Sequence, residues 1–285
     1  MEIRKIERIV VCGAGTMGSG IAQVAATAGY QVVQFDLNEA VLLAASQRIR
    51  KNLEKLQEKG KITQEEFQGI LNKIQFTNQL TDCKGELIIE AIIEKKEAKI
   101  NLFNQLITVN SPDTILASNT SSISIDAIAS GIDIPAQLVG LHFFNPAPLM
   151  KLVEIIQGKE TNPAIVQSMV SLVASMQKKP VICKDSPGFI VNRVARPYYL
   201  ESMYLVQSGQ ANVEQTDKVL EAAGFKMGPF KLMDLIGLDI NYSVSTIVWE
   251  DLGKPERLKP SIIQKEKIDL GQYGVKTKKG FYDYE

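Results

Sequence analysis

One histidine, three cysteines and no excess of either charge are the scarcities of this 285-residue chain. Lys+Arg and Asp+Glu number 32 each, so no global field draws the protein to nucleic acid or a membrane surface. An anionic ligand has to be held by local charge. Cys12, Cys83 and Cys183 are odd in number and far apart, with neither metal-ligand nor redox spacing. That excludes a disulfide framework, leaves no metal site to expect, and fits a reducing, cytoplasmic compartment. No apolar run reaches the ~18 residues of a membrane span. The opening Met1-Glu2-Ile3-Arg4-Lys5-Ile6-Glu7 leads at once into a strand pattern, so no signal or transit peptide is expected. Imidazole chemistry near neutral pH has one candidate, His142, because no other side chain has an unperturbed pKa so close to neutrality.

What is present is an ordinary globular stock, 45% hydrophobic and 22% charged, enough for one large or two medium domains. Ile9–Cys12 is a short β-branched run ended by glycine. Met17, Ile21, Val24, Ala25 and Ala28 then follow helical spacing, and Gln31–Phe35 forms a second strand run leading to Asp36. Strand, helix and strand in this order make a βαβ unit and imply a parallel sheet. Further strand runs lie at 74–77, 87–91, 114–118, 138–143, 152–156 and 181–183, several of them separated by helices. Asn162-Pro163 supplies an N-cap and a proline at the first helical position of one. The pattern is that of a doubly wound α/β domain.

The connection from Glu39 to Asn72 is long for a crossover. Leu42, Ala45, Ile49, Leu53 and Leu56 form one helical seam, Gly60 stops it, and Thr63-Gln64-Glu65-Glu66 is a capping box that starts another helix. A helical hairpin projecting from the domain is expected. Arg48, Lys51, Lys55 and Lys59 line one side of it; on spacing alone, a solvated face is the default reading of such a stripe. Beyond Ser186 strand runs disappear. A long, mostly apolar segment from Gly188 to Gln207 contains Pro197, which is expected to kink its helix. Asn212–Gln215 caps the next helix, and Gly228-Pro229 opens another that closes near Gly237. The domain boundary is placed at Asp185-Ser186, giving residues 1–185 and 186–285.

Gly13-Ala14-Gly15-Thr16-Met17-Gly18 is a G-x-G-x-x-G string that follows a strand and opens a helix, the context its chemistry requires. Gly13 permits the tight turn, Gly15 the approach of a pyrophosphate to backbone N–H groups, and Gly18 close helix–strand packing. Asp36 is placed to take ribose hydroxyls. Its charge would repel a 2′-phosphate, and no arginine follows it, so NAD is expected over NADP. Twelve residues after His142, Glu154 interrupts the apolar run Leu152-Val153-Glu154-Ile155-Ile156. A carboxylate there needs a partner, and an imidazole is a suitable one. A lone histidine satisfied by backbone is the competing reading on local grounds.

The chain resembles the 3-hydroxyacyl-CoA dehydrogenases, in particular the bacterial short-chain 3-hydroxybutyryl-CoA type, nearly end to end. The resemblance is carried in order by Gly13–Gly20, Ser118-Asn119-Thr120-Ser121-Ser122, His142–Pro146, Met150–Glu154, Pro187–Arg193, Met227-Gly228-Pro229, Gly237-Leu238-Asp239 and Lys279–Tyr284. It implies a Rossmann-type doubly wound domain with a helical hairpin insertion, followed by an all-α C-terminal domain for substrate and dimerisation. It implies His142 as catalytic base, Glu154 as its partner, and Ser121 and Asn192 as groups that hold the substrate oxygen. Cofactor contacts are implied at Thr16, Met17, Glu94, Lys99, Asn119 and Ser121 besides the glycines and Asp36. Lys55 and Lys59 fall where the family places lysines near the CoA 3′-phosphate. Three places depart from the family pattern. Lys226 stands where many relatives have histidine, Arg196-Pro197-Tyr198-Tyr199 is bulkier and more polar than expected, and the segment Lys254–Gln272 matches poorly.

The expected activity is NAD-dependent interconversion of 3-hydroxyacyl-CoA and 3-ketoacyl-CoA in fatty-acid or butyrate metabolism. Oxidation of a secondary alcohol needs a base for the hydroxyl proton, which His142 supplies, with Glu154 stabilising the imidazolium. Two other readings are weighed. A dehydrogenase of small free 3-hydroxy acids would use a lysine from a string directly after the linker, and none is there. A non-catalytic NAD-binding protein on the same scaffold would have no need of the complete set His142, Glu154, Ser121 and Asn192. Apolar residues on more than one face of the helices after Ser186 point to a homodimer formed through that half.

Overall fold

The computed structural model describes residues 5–285. Met1–Arg4, and with them the reading of the extreme N-terminus, lie outside the described residues. The chain forms two compact units, the first ending at Asp185 and the second running from Ser186 to Glu285.

The first unit is built on β1 (Arg8–Cys12), α1 (Thr16–Thr27), β2 (Gln31–Phe35), α2 (Glu39–Glu58), α3 (Gln64–Asn72), β3 (Ile74–Thr77), β4 (Leu87–Glu90), α4 (Lys96–Ile107), β5 (Ile115–Ser118), α5 (Ile125–Ala129), β6 (Leu138–Phe143), β7 (Leu152–Gln157), α6 (Pro163–Ser175) and β8 (Lys179–Lys184). The strands form one sheet in the order β3-β2-β1-β4-β5-β6-β7-β8. Helices shield its inner strands, so β1, β4, β5 and β6 are buried over almost their whole length and read as continuous rather than alternating apolar runs. Pairing is parallel from β3 to β6. β7 then runs antiparallel to β6, and β8 parallel to β7. The parallel sheet implied by the βαβ unit is found from β3 to β6, and the apolar runs alone set no direction for β7. Residues 144–151, which join β6 to β7, are fewer than the roughly dozen a parallel crossover needs, and the chain turns back instead.

The α2–α3 hairpin is present, but its body does not project. Ile49, Leu53, Phe67 and Ile70 are buried in the main core with Ile21, Val24 and Val32. Arg48 Nη1 donates to Ser19 Oγ at 2.8 Å and Asn52 Nδ2 to Gln23 Oε1 at 3.1 Å, tying α2 to α1. The apolar seam is what lays the hairpin down, and the exposed part is the tip around Lys59–Lys61. The capping box is formed: Glu66 N donates to Thr63 Oγ1 at 3.1 Å, and Thr63 N to Glu66 Oε2 at 2.7 Å.

The second unit contains α7 (Val191–Gln207), α8 (Val213–Ala222), α9 (Pro229–Ile236), α10 (Leu238–Asp251) and α11 (Ile262–Asp269). Its core gathers Tyr199, Leu200, Met203, Phe230, Met233 and Val248. The first helix begins at Val191 rather than Gly188, because Gly188 (φ 73°) and Phe189 (φ 49°) occupy the left-handed region. Pro197 lies inside α7 as read from the sequence. Two buried carboxylates organise the rest. Asp217 accepts from Phe230 N and Lys231 N and so caps α9 from α8, while Asp234 accepts from Phe281 N and Tyr282 N and holds the C-terminal string. No helix among the described residues is long and apolar enough to cross a membrane.

Candidate active site

The turn between β1 and α1 is shaped by what glycine omits. A Cβ on Gly13 (φ 96°) would lie 2.4 Å from the Ala91 carbonyl oxygen, and one on Gly18 would lie 1.7 Å from that of Gly13. Gly15 is the N-cap of α1 and makes no side-chain cap; the space beyond its Cα is open. The first N–H groups of α1, around Thr16 and Met17, therefore carry no side-chain cap and border open space, a fit for a pyrophosphate. Asp36 follows β2 directly. Its Oδ2 accepts from Ala14 N at 2.8 Å and its Oδ1 from Asn38 N at 3.0 Å, so the carboxylate is fixed beside the glycine turn with acceptor capacity to spare for ribose hydroxyls. Gln34, which the sequence reading missed, is fully buried and donates through Nε2 to the carbonyls of Val11 and Gly13 at 3.1 and 2.8 Å.

His142 and Glu154 face each other directly across the antiparallel β6–β7 pair. His142 Nδ1 and Glu154 Oε2 are 2.7 Å apart, with the two residues 5% and 0% exposed. The reversal of strand direction is what turns a separation of twelve residues into direct contact. The Phe144 ring lies against the imidazole at a centroid distance of 4.4 Å. Asn119 Oδ1 accepts from Phe143 N at 2.8 Å, joining the end of β5 to the end of β6. Beyond Phe143, the buried ammonium of Lys178 donates to the carbonyl oxygens of Ala147, Pro148 and Met150 at 2.6, 3.2 and 2.8 Å. Burial, and then the charge of Lys151, lower its pKa from the ordinary lysine value.

Ser121 sits in a turn gathered onto one carboxylate oxygen. Glu94 Oε1 accepts from Thr120 Oγ1 at 2.6 Å, Ser121 N at 2.9 Å and Ser122 Oγ at 3.1 Å. Lys99 Nζ lies 3.1 Å from Glu94 Oε2 and 2.6 Å from Glu90 Oε1. Ser118 Oγ donates to the other oxygen of Glu90 at 2.7 Å. Lys99 is thus enclosed, 1% exposed, and acts on the Ser121 turn through Glu94 rather than from the surface. Burial raises the Glu90 pKa against the pull of Lys99. Burial also pushes Glu94 upward, but the Lys99 charge and the donors of the turn outweigh it and hold Glu94 below its ordinary value.

Lys55 and Lys59 are exposed, Lys59 as the C-cap of α2. Between them Leu56 borders a cavity of about 160 Å³ that Lys151 and Lys178 also line. Asn192 belongs to the second unit, in the first turn of α7. The structure thus brings together His142 with Glu154, Ser121 with Glu94 and Lys99, and Asp36 with the glycine turn.

A family model of the 3-hydroxyacyl-CoA dehydrogenase NAD binding domain matches residues 8–186, and one of the C-terminal domain of the same family matches residues 188–284. NAD is the cofactor of the first unit. The chain is 43% identical to the 3-hydroxyadipyl-CoA dehydrogenase of Escherichia coli over 98% of its own length, and spans 59% of that protein. It is 40% identical to a probable 3-hydroxybutyryl-CoA dehydrogenase of Bacillus subtilis, covering 99% of this chain and 98% of the relative. Among solved structures, (S)-3-hydroxybutyryl-CoA dehydrogenase from Ralstonia eutropha superposes with a TM-score of 0.95 at 32% identity, over 99% of this chain and 100% of that one. The chain belongs to the 3-hydroxyacyl-CoA dehydrogenase family.

Proposed function

We propose that the protein interconverts (S)-3-hydroxyacyl-CoA and 3-ketoacyl-CoA with NAD, and that 3-hydroxybutyryl-CoA and acetoacetyl-CoA are among its substrates. The observation that carries this reading is the buried His142–Glu154 pair at 2.7 Å. Bound NAD supplies the acceptor for the hydride that leaves carbon 3. The glycine turn would hold its pyrophosphate and Asp36 its ribose hydroxyls. His142 Nε2 takes the proton of the 3-hydroxyl group in oxidation and returns one in reduction. Glu154 at Nδ1 fixes the tautomer and stabilises the imidazolium. Ser121 hydrogen-bonds the substrate oxygen as its charge changes. Glu94, with Lys99 behind it, keeps the Ser121 turn in one geometry, and Asn119 keeps that turn beside β6.

The CoA moiety is assigned to the outer edge of α2, where Lys55 and Lys59 offer charge to the 3′-phosphate beside the cavity bordered by Leu56 and Lys151. The names of the relatives divide between a four-carbon acyl group and a six-carbon one that ends in a carboxylate, so the acyl end is left to this chain's own residues. NADH consumption with acetoacetyl-CoA, against free acetoacetate as control, tests the reading. Turnover of the thioester alone supports it; no turnover with NAD bound would favour a non-catalytic NAD-binding protein, and turnover of the free acid a dehydrogenase of small hydroxy acids.

A further inference from the structure

Glu90 is a buried charge for which the reaction above has no use. Lys99 Nζ stands between two carboxylates, 2.6 Å from Glu90 Oε1 and 3.1 Å from Glu94 Oε2. One ammonium facing two carboxylates leaves a negative charge over. Burial decides where that surplus lies. Glu90 is 0% exposed and both its oxygens are bound: Oε1 accepts from Lys99 Nζ and, at 2.8 Å, from Ile92 N, and Oε2 accepts from Ser118 Oγ at 2.7 Å. The Glu94 side chain is 37% exposed. An ion pair attracts more strongly away from water, so Lys99 and Glu90 compensate each other inside the fold and the surplus falls on Glu94. Burial pushes Glu94 upward, but the Lys99 charge and the donors of the Ser121 turn hold it below the ordinary carboxylate range, so it stays ionised at neutral pH. A Lys99–Glu94 pair alone would suffice to hold that turn, and it would be neutral. What Glu90 adds is the return of the charge to Glu94.

The sheet order shows what that charge faces. Strands β2, β1, β4, β5 and β6 are neighbours in this sequence. Asp36 follows β2 and the glycine turn follows β1, the places for the adenosine ribose and the pyrophosphate. His142 stands near the carboxyl end of β6. A dinucleotide reaching from the glycine turn toward His142 crosses the carboxyl ends of β4 and β5 with its nicotinamide half. Glu90 ends β4, Ser118 ends β5, and Glu94 lies just beyond β4 at that same end. The nicotinamide ring is positively charged in NAD⁺ and neutral in NADH, and a fixed carboxylate favours the charged form. We propose that Glu90 is a positioning residue for cofactor discrimination: by compensating Lys99 it leaves Glu94 charged at the nicotinamide end of the cofactor site, and that charge favours the oxidised cofactor relative to the reduced one. The proposal takes the place of the nicotinamide from the dehydrogenase reading.

The test measures the Kd of NAD⁺ and of NADH separately, by calorimetry and without substrate, for the wild type, Glu90→Gln and Glu90→Asp. Glu90→Gln removes the charge at nearly constant volume, so Lys99 turns to Glu94 and neutralises it. The ratio of the NAD⁺ Kd to the NADH Kd should then rise about 3–10-fold, the effect of one part-screened charge near the ring, with the change in NAD⁺ binding. Glu90→Asp keeps the charge and should keep the ratio near that of the wild type. Equal weakening of both forms by Glu90→Gln, the mark of a purely structural role, overturns the proposal, and so does an unchanged pair of constants. Glu94 is half-exposed in a loop, and Glu94→Gln should raise the ratio in the same direction; if Glu90→Gln does not fold, an unchanged ratio in Glu94→Gln overturns the proposal. Because no substrate is present, failure of the ratio to move leaves the dehydrogenase reading intact, whereas absent turnover of acetoacetyl-CoA by the wild type defeats that reading and with it the place assigned to the nicotinamide.

Discussion

Asp36 shows how much one side chain decides at the residue scale. Two backbone N–H groups hold its carboxylate beside the glycine turn, and the proposed function gives it the ribose hydroxyls of NAD, where its charge would oppose a 2′-phosphate. The expected outcome is a clear preference for NADH over NADPH in kcat/KM, with Asp36→Ala weakening NADH use and narrowing the gap; parity in the wild type counts against this role. Glu154→Gln should leave NAD binding in place and lower kcat, because the imidazolium loses its counter-charge, and a steady-state comparison at saturating cofactor checks it. The glycines, Asp36, His142 and Glu154 were legible in the sequence because each sits at a position that local pattern singles out. Gln34, Glu90 and Lys178 were not, since their partners are backbone atoms or side chains distant in the chain. Lys99 reads as an ordinary helix-surface cation until the fold encloses it between Glu90 and Glu94.

Among the elements, the reversal at residues 144–151 has the largest consequence. Hydrophobic runs identified β6 and β7 as strands but gave no direction; the short connection did, and the antiparallel register is what pairs His142 with Glu154. Lys178 secures that reversal. It follows Gln177, which ends α6 in the left-handed region (φ 56°), and its ammonium collects three carbonyls of the 144–151 connection. Lys178→Met keeps the stem and removes the donors. It should destabilise the fold by about 1–3 kcal/mol, since one buried and two part-buried carbonyls lose a charged donor, and lower kcat more than it raises KM for NADH. Urea denaturation and steady-state kinetics check the two parts. The α2–α3 hairpin shows the converse case: its caps and seam were legible, but its placement was not, because an apolar stripe says that a helix is covered without saying by what.

For the whole molecule, the second unit leaves large apolar side chains exposed. Val194 is 70% exposed, Tyr204 60%, Leu235 57% and Ile240 51%. We propose that a second copy covers this surface in a twofold homodimer. Light scattering at micromolar concentration should give about twice the 31.5 kDa chain mass, and Ile240→Glu should shift it toward that of one chain while NAD binding persists. A wild-type mass of one chain contradicts this.

The central claim is that a buried imidazole–carboxylate pair exchanges a proton with the 3-oxygen of an acyl-CoA thioester while NAD carries the hydride. Its most direct measurement is NADH consumption with acetoacetyl-CoA by the wild type and by His142→Gln, with NADH binding measured in parallel. The account predicts steady turnover by the wild type, a loss of roughly 10²–10⁴-fold in kcat for His142→Gln, and NADH affinity unchanged between the two. Near-normal turnover by His142→Gln would contradict it, since the chain has no other histidine to take over.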